Sequence, residues 1–252
     1  MLVRPGLYGE SLIISKKIEL VGEGERQDII VESRAGSCLL MRTDEALVRN
    51  LTLRGLAGAS NTRPSYFAVD IPQGHLTIEE CDITSNSLSC IGVHNDTTRP
   101  LIARCVIHSS ADSGIYFFNA AAGEVLECDV HHNANVGVAV TDGASAFVNR
   151  CSIHEGADAG VVAWDGGTCT IEASEIYGNA KAGVGTSDRG QTLIRNSRLY
   201  GGENSGVFVH NKGQSILEGC EIFGHSAGEV AATLMVALCC AIAGCIMAVC
   251  PE

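Results

Sequence analysis

Basic residues are scarce in this chain, and so are large rings. Its 252 residues hold 17 Lys and Arg against 29 Asp and Glu, a formal net charge of −12. A nucleic-acid groove needs clustered cations, so this balance excludes nucleic acid as a partner. Aromatic residues are only 5% of the chain, with one Trp, while Gly reaches 29; that composition suits a thin core better than a bulky one. Twelve cysteines contain no Cys-x-x-Cys pair, and the adjacent Cys239 and Cys240 offer no zinc geometry. Met1–Gly6 carries no signal peptide. With many thiols expected to stay reduced, an intracellular location is favoured.

What the chain does have is repetition. One phrase recurs as Ile78-Glu-Glu-Cys-Asp-Ile83, Ile102-Ala-Arg-Cys-Val-Ile107, Val125-Leu-Glu-Cys-Asp-Val130 and Val148-Asn-Arg-Cys-Ser-Ile153, and on to Leu217-Glu-Gly-Cys-Glu-Ile222. Its Cys or Ser falls at 81, 105, 128, 151, 174, 197 and 220, a step of 24 and then 23. A second phrase keeps that step, from Gly114-Ile-Tyr-Phe-Phe-Asn119 through Gly160-Val-Val-Ala-Trp-Asp165 to Gly206-Val-Phe-Val-His-Asn211. A fixed period in the twenties signals a solenoid whose units bury their apolar faces only against neighbours. Apolar residues alternate with period 2 over short runs rich in Val and Ile, which is strand spacing. About 23 residues supply three short strands and three turns per coil, stacked at roughly 4.8 Å.

This predicts an all-β, single-stranded parallel β-helix over residues 1–228, most regular from 75 to 228, followed by an apolar tail, 229–252. Ile, Val and Leu at 83, 107, 130, 153, 176, 199 and 222 form one inward column. Cys and Ser form a neighbouring column at a bend, as free buried thiols rather than disulfides. Gly114, Gly137, Gly160, Gly183 and Gly206 are expected to be tight or at positive φ. The Asn and Asp that end the third strand read as turn formers. Residues 4–33 read as the first coil and 36–55 as the second, with Leu47, Leu51 and Leu53 in the core; 55–64 read as a loop leaving the stack. Ala231 to Cys250 is free of charge, about the minimum for a membrane span, but without flanking basic residues. A membrane anchor, a cap helix and a non-native end all remain open.

The stacked C-x-I and G-I/V-x-V-x-N/D units resemble the right-handed parallel β-helix repeats of the pectin-lyase-like superfamily, closest to its CASH-type carbohydrate-binding and sugar-hydrolase modules. The opening Val3-to-Gly24 stretch is similar to the first coil of such domains. Because those domains usually have a capping helix upstream, the chain is expected to be a piece of a longer protein. The resemblance implies the fold; its functions range over lyases, hydrolases, epimerases and non-catalytic scaffolds. The Asn-Thr-Asp, Asp-Asp, Gly-His-Gly and Arg-Ile-Lys motifs of polygalacturonase-type hydrolases, and the Asp-Pro-His of alginate epimerases, do not occur.

Three constellations are candidate sites. Asp142, Asp165 and Asp188 recur on successive coils, and the resemblance makes calcium the cofactor to test there, with Arg189 or Lys212 nearby. Thr84, His108, His131, His154, Tyr177, Tyr200 and Phe223 form an outward column whose three His could hold a metal or move protons. His94, Tyr116, Phe118, Val162, Trp164, Phe208 and His210 lie on the outer face of the third strand, where rings can stack on sugars or anchor a protein. The expected function is a non-catalytic recognition scaffold for a protein segment or a glycan. The alternatives are a divergent calcium-dependent polysaccharide lyase or hydrolase and, by resemblance, the substrate-recognition part of an F-box-type ubiquitin ligase.

Overall fold

The computed structural model describes residues 1–57, 65–232 and the backbone of 237–241. Its strands pair in parallel into three sheets of 11, 10 and 10 strands. The first sheet runs from Leu2–Val3 to Ala237–Ala241, the second from Gly6–Gly9 to Glu221–Phe223, and the third from Leu12–Ile14 to Val230–Ala232. Each coil contributes one strand to each sheet. Apart from a short turn of 3₁₀-helix at Arg26–Asp28, the described residues contain no helix.

In most strands side chains alternate between core and exterior, although Val138–Val140 and Val184–Thr186 are buried throughout. In the third sheet Phe117, Val161, Ala163, Val207 and Val209 are buried, while the alternate Tyr116, Phe118, Val162, Phe208 and His210 face outward. Ile83 pairs with Ile107, Ile107 with Val130 and Val130 with Ile153, so like residues stack along the axis as a continuous core. The seven cysteines at 38, 81, 90, 105, 128, 151 and 169 are free and buried. Ser174 substitutes directly for Cys in the bend column, because its Oγ accepts from Cys151 N at 3.1 Å much as Cys151 Sγ accepts from Cys128 N at 3.4 Å.

Left-handed backbone sits at the corners. Residues before the Cys column (Glu127, φ 54°; Arg150, φ 52°) and at the end of the third strand (Asp142, φ 51°; Asp165 and Asp188, φ 47°) take this conformation. Asn and Asp tolerate it best after Gly, in line with their expected role as turn formers. The Gly114-to-Gly206 column is different: none of its members has positive φ. A Cβ on Gly137 would lie 2.6 Å from Gly160 O and 2.6 Å from Ile153 Cγ2. These glycines permit close approach of one coil to the next and relieve no backbone strain.

The first coils are phased differently from the expectation. Gly6 pairs with Ile29, Leu12 with Leu39 and Val31 with Leu53. The stretch 4–33 therefore spans more than one coil, whereas 36–55 supplies one strand to each sheet. Leu51 and Leu53 are buried, but Leu47 faces outward beside Thr77. These coils lack the Cys and Gly markers that set the phase later on. Stacking also continues past residue 228: Val207–Val209 pairs with Val230–Ala232 and Gln214–Glu218 with Ala237–Ala241. Among the described residues no helix is long and apolar enough to cross a membrane; 233–236 and 242–252, most of the expected tail, lie outside them. So do residues 58–64 of the expected loop and the side chains of Cys239 and Cys240.

Candidate functional site

The outer face of the third sheet collects most of the predicted ligand-binding rings. His94 stacks on Phe118 at 4.9 Å, Tyr116 on Phe118 at 4.8 Å, and Trp164 lies parallel to Tyr116 at 6.2 Å. Phe67, returning from the loop after the third coil, covers Gly92 and lies 6.2 Å from Phe118. His94 Nε2 is fixed by Asp70 Oδ1 at 2.8 Å. Burial beside Asp112 and Asp142 pushes the Tyr116 phenol above its ordinary range. This end of the face is packed on itself.

Phe208 and His210 form a separate pair, 5.0 Å apart. Between the two groups runs one strand without a ring, Val184–Thr186, in which Gly185 pairs with Val162 on one side and Phe208 on the other. Gly185 has no positive φ, and a Cβ there would meet only the Val162 methyls, at 3.4 and 3.7 Å. Neither backbone nor packing requires a glycine, although glycine weakens a strand interior. Its effect is a notch one coil wide. A depression of about 240 Å³ lies over it, lined by Val162, Gly185, Phe208 and His210 with Asp158 and Lys181 at one rim. On the other rim a second depression of about 500 Å³ is lined by Trp164, Asp165, Asp188, Arg189, Asn211 and Lys212.

The predicted carboxylate ladder edges that second rim. Arg189 Nη2 meets Asp165 Oδ1 at 3.4 Å. Asp188 accepts from Ser187 Oγ at 2.9 Å and from Asn211 Nδ2. Asp142 is exposed one coil before them. Among the described residues no group of three His, Cys, Asp or Glu side chains could hold a metal ion. The three carboxylates are therefore brought to one edge, but Asp165 is engaged by Arg189 and Asp188 by Ser187 and Asn211, rather than converging on one point.

The outward column of the second sheet is a ladder of stacked rings. Centroids are separated by 4.9 Å for His108–His131, 5.2 Å for His131–His154, 4.5 Å for His154–Tyr177, 4.9 Å for Tyr177–Tyr200 and 5.2 Å for Tyr200–Phe223. Each ring covers its neighbour's face, leaving edges to solvent. His108 donates to Asp82 at 3.3 Å, which holds that carboxyl below the usual range. The notch at Gly185 and the rim residue Lys181 were missed in the sequence. The outward column reads Gly92, Tyr116, Ala139, Val162, Gly185 and Phe208; Gly92 is covered by Phe67 and Gly185 is not, a difference that the sequence does not mark.

The chain matches, by family profile, the family described as right handed beta helix region, over residues 37–163 and 104–237. No curated protein sequence matches it. Among solved structures, the A-module of the mannuronan C-5 epimerase AlgE4 of Azotobacter vinelandii is similar over 92% of this chain and 71% of that one, with 18% identity and a TM-score of 0.73. The A-module of the AlgE6 epimerase of the same organism is similar over 96% and 91%, with 13% identity and a TM-score of 0.54. At such identities the likeness concerns the fold. The profile covers most of the coils described above, and the chain belongs to the right-handed β-helix family.

Proposed function

We propose that the protein is a glycan-recognition scaffold that binds a polysaccharide across the outer face of the third sheet, with one sugar ring seated in the notch over Gly185. The observation that carries this reading is the glycine itself, which stands between Val162 and Phe208, with Trp164 two residues along the coil of Val162, where packing would accept a side chain. The strands carrying Val162 and Phe208 lie two steps apart, roughly 10 Å between backbones, which leaves room for one saccharide ring in van der Waals contact, at about 4 Å, with each side. Asp158, Lys181, Asp165, Arg189 and Lys212 at the rims supply the hydrogen-bonding groups that hydroxyl-rich ligands need. Lys212 makes no ion pair among the described residues. The rims thus carry cations and carboxylates in nearly equal number, on a chain whose total charge is −12, and do not repel a uronate polymer as the rest of the surface does.

The similar solved structures support a polysaccharide partner over a protein one, since two of them are named as mannuronan epimerases. The reading is non-catalytic because Asp165 is paired with Arg189 and Asp188 accepts from Ser187 and Asn211, so the ladder's carboxylates at this edge are held by neighbours rather than aimed into the notch. The test is to incubate the protein with mannuronan, polygalacturonate and a neutral glucan, with and without calcium, and to measure both retention on the polymer and release of new chain ends. Retention without release is expected. Calcium-dependent release abolished by Asp165→Ala would make this edge a lyase or hydrolase site instead.

A further inference from the structure

The outer face of the first sheet carries a depression that the glycan face does not use. Its cause is one extra residue. From Val93 to Leu101 the chain takes eight steps, whereas from Phe117 to Glu124, their partners in the next coil, it takes seven. The added residue lifts the turn before Leu101 into a lip. That lip is tied down: Thr98 Oγ1 donates to His94 O at 2.6 Å, Arg99 N to Gly74 O at 2.9 Å, and His75 Nδ1 to Arg99 O. The coils that follow put small side chains beside it, Ala122, Ser145 and Thr168 in one column. The result is a shelf of about 510 Å³, walled by Arg99 at the lip and by Phe147 further along.

Three groups on this shelf lack the partners that their neighbours have. At the opposite edge of the sheet, Arg104 pairs with Glu79 at 3.1 Å and Arg195 with Glu218 at 2.5 Å. Arg99 makes no ion pair among the described residues; its Nη1 donates to Thr98 O at 2.7 Å, which leaves the other guanidinium donors open. Glu124 is exposed, and its carboxylate has no ion pair or hydrogen bond among the described residues. Phe147 is half-buried, and no described ring stacks on it, unlike Tyr116 and Tyr177 on the other two sheets.

The three are also adjacent. Glu124 pairs with Leu101 on one side and with Phe147 on the other, so carboxylate and ring stand one strand spacing apart, about 4.8 Å. Arg99 precedes Leu101 by two residues, which puts it roughly 8 Å from Glu124 between backbones. Long side chains span that gap. We propose that this shelf binds a free α-amino acid with an aromatic or large aliphatic side chain. Arg99 takes its carboxylate and Glu124 its ammonium group, both by charge-assisted hydrogen bonds. Phe147 takes its side chain, which covers Ala122 and Ser145. A ligand with one charge leaves Arg99 or Glu124 unmatched, and that mismatch sets the specificity. The site is independent of the glycan reading and lies on a different sheet.

The test is calorimetric titration of the full chain with L-phenylalanine, L-leucine, phenethylamine and 3-phenylpropionate. One saturable site is expected for the two amino acids, with each single-charge analogue bound at least about tenfold more weakly. Arg99→Gln, Glu124→Gln and Phe147→Ser change outward side chains and should leave the melting temperature unchanged. Each should lose at least about tenfold in affinity for phenylalanine. Glu124→Gln should spare the weak binding of 3-phenylpropionate, a split that a merely loosened coil does not produce. Absence of saturable binding for both amino acids would overturn the assignment. So would equal binding of the single-charge analogues, or undiminished affinity in all three variants.

Discussion

Gly185 and Phe208 are direct partners in the third sheet, so the Phe208 side chain stands beside a strand that offers none of its own. The first prediction concerns this pair. Gly185→Leu should fill the notch while leaving stability within about 0.5 kcal/mol of the parent, since its Cβ meets only ordinary contacts. Affinity for a bound polysaccharide should fall at least about tenfold. Thermal melts and affinity electrophoresis on the same preparations separate the two effects.

Close approach of the coils makes a second, opposite prediction about glycine. Gly137→Ala forces a Cβ to within 2.6 Å of Gly160 O, an overpacking defect that should cost about 2–3 kcal/mol. Gly143→Ala is strained by its φ of 68° but meets nothing within 4 Å, and should cost about 1 kcal/mol. Urea denaturation of the two variants measures the order. Equal costs would mean that the coils part easily.

The fold was legible in the sequence because a solenoid repeats its instructions. Cys128, Val130 and Gly137 each recur one coil later as Cys151, Ile153 and Gly160, and seven copies of a pattern outvote any single irregularity. Coils without that pattern were misphased: nothing in Leu47 and Val48 says which faces inward until the register with Thr77 and Ile78 is known. The rings of the candidate face were also legible, as outward positions of period 2. Their division into two groups was not, because it depends on the pairing of Gly185 with Val162 and Phe208; nor was the contact of Phe67 with Phe118, which has no fixed offset in the repeat.

His131 should leave a signature in the dependence of stability on pH. Burial, with the neighbouring His108, His154 and His132 adding to it and Asp129 opposing, holds its imidazole below the ordinary 6.5. Between 6.5 and that lowered value the unfolded chain binds a proton that the folded chain does not. The group's contribution is therefore lost as pH falls through this window and is complete above it. His131→Phe keeps a ring in the ladder and should flatten the fall in melting temperature below pH 6.5. Parallel curves for the two proteins would contradict the assignment.

The buried thiols should be inert in the folded state. Burial pushes Cys169 up to about 12, and Cys38 likewise to about 12, so neither is a thiolate at neutral pH. Peptide mapping after brief treatment with a maleimide should find Cys81, Cys105, Cys128, Cys151 and Cys169 unmodified in native protein and fully modified in denaturant. Native labelling at any of the five would show that coils open locally.

The central claim is that the bare strand between Trp164 and Phe208 seats a sugar ring, and Trp164→Ala tests it most directly. Dissociation constants for mannuronan, polygalacturonate and neutral glucan oligosaccharides should be measured for parent and variant at equal ionic strength. The account predicts that at least one glycan binds the parent and that the variant loses at least about tenfold in affinity, with an unchanged melting temperature. Equal affinity in both proteins, or no affinity of the parent for any of the three glycans, would contradict it.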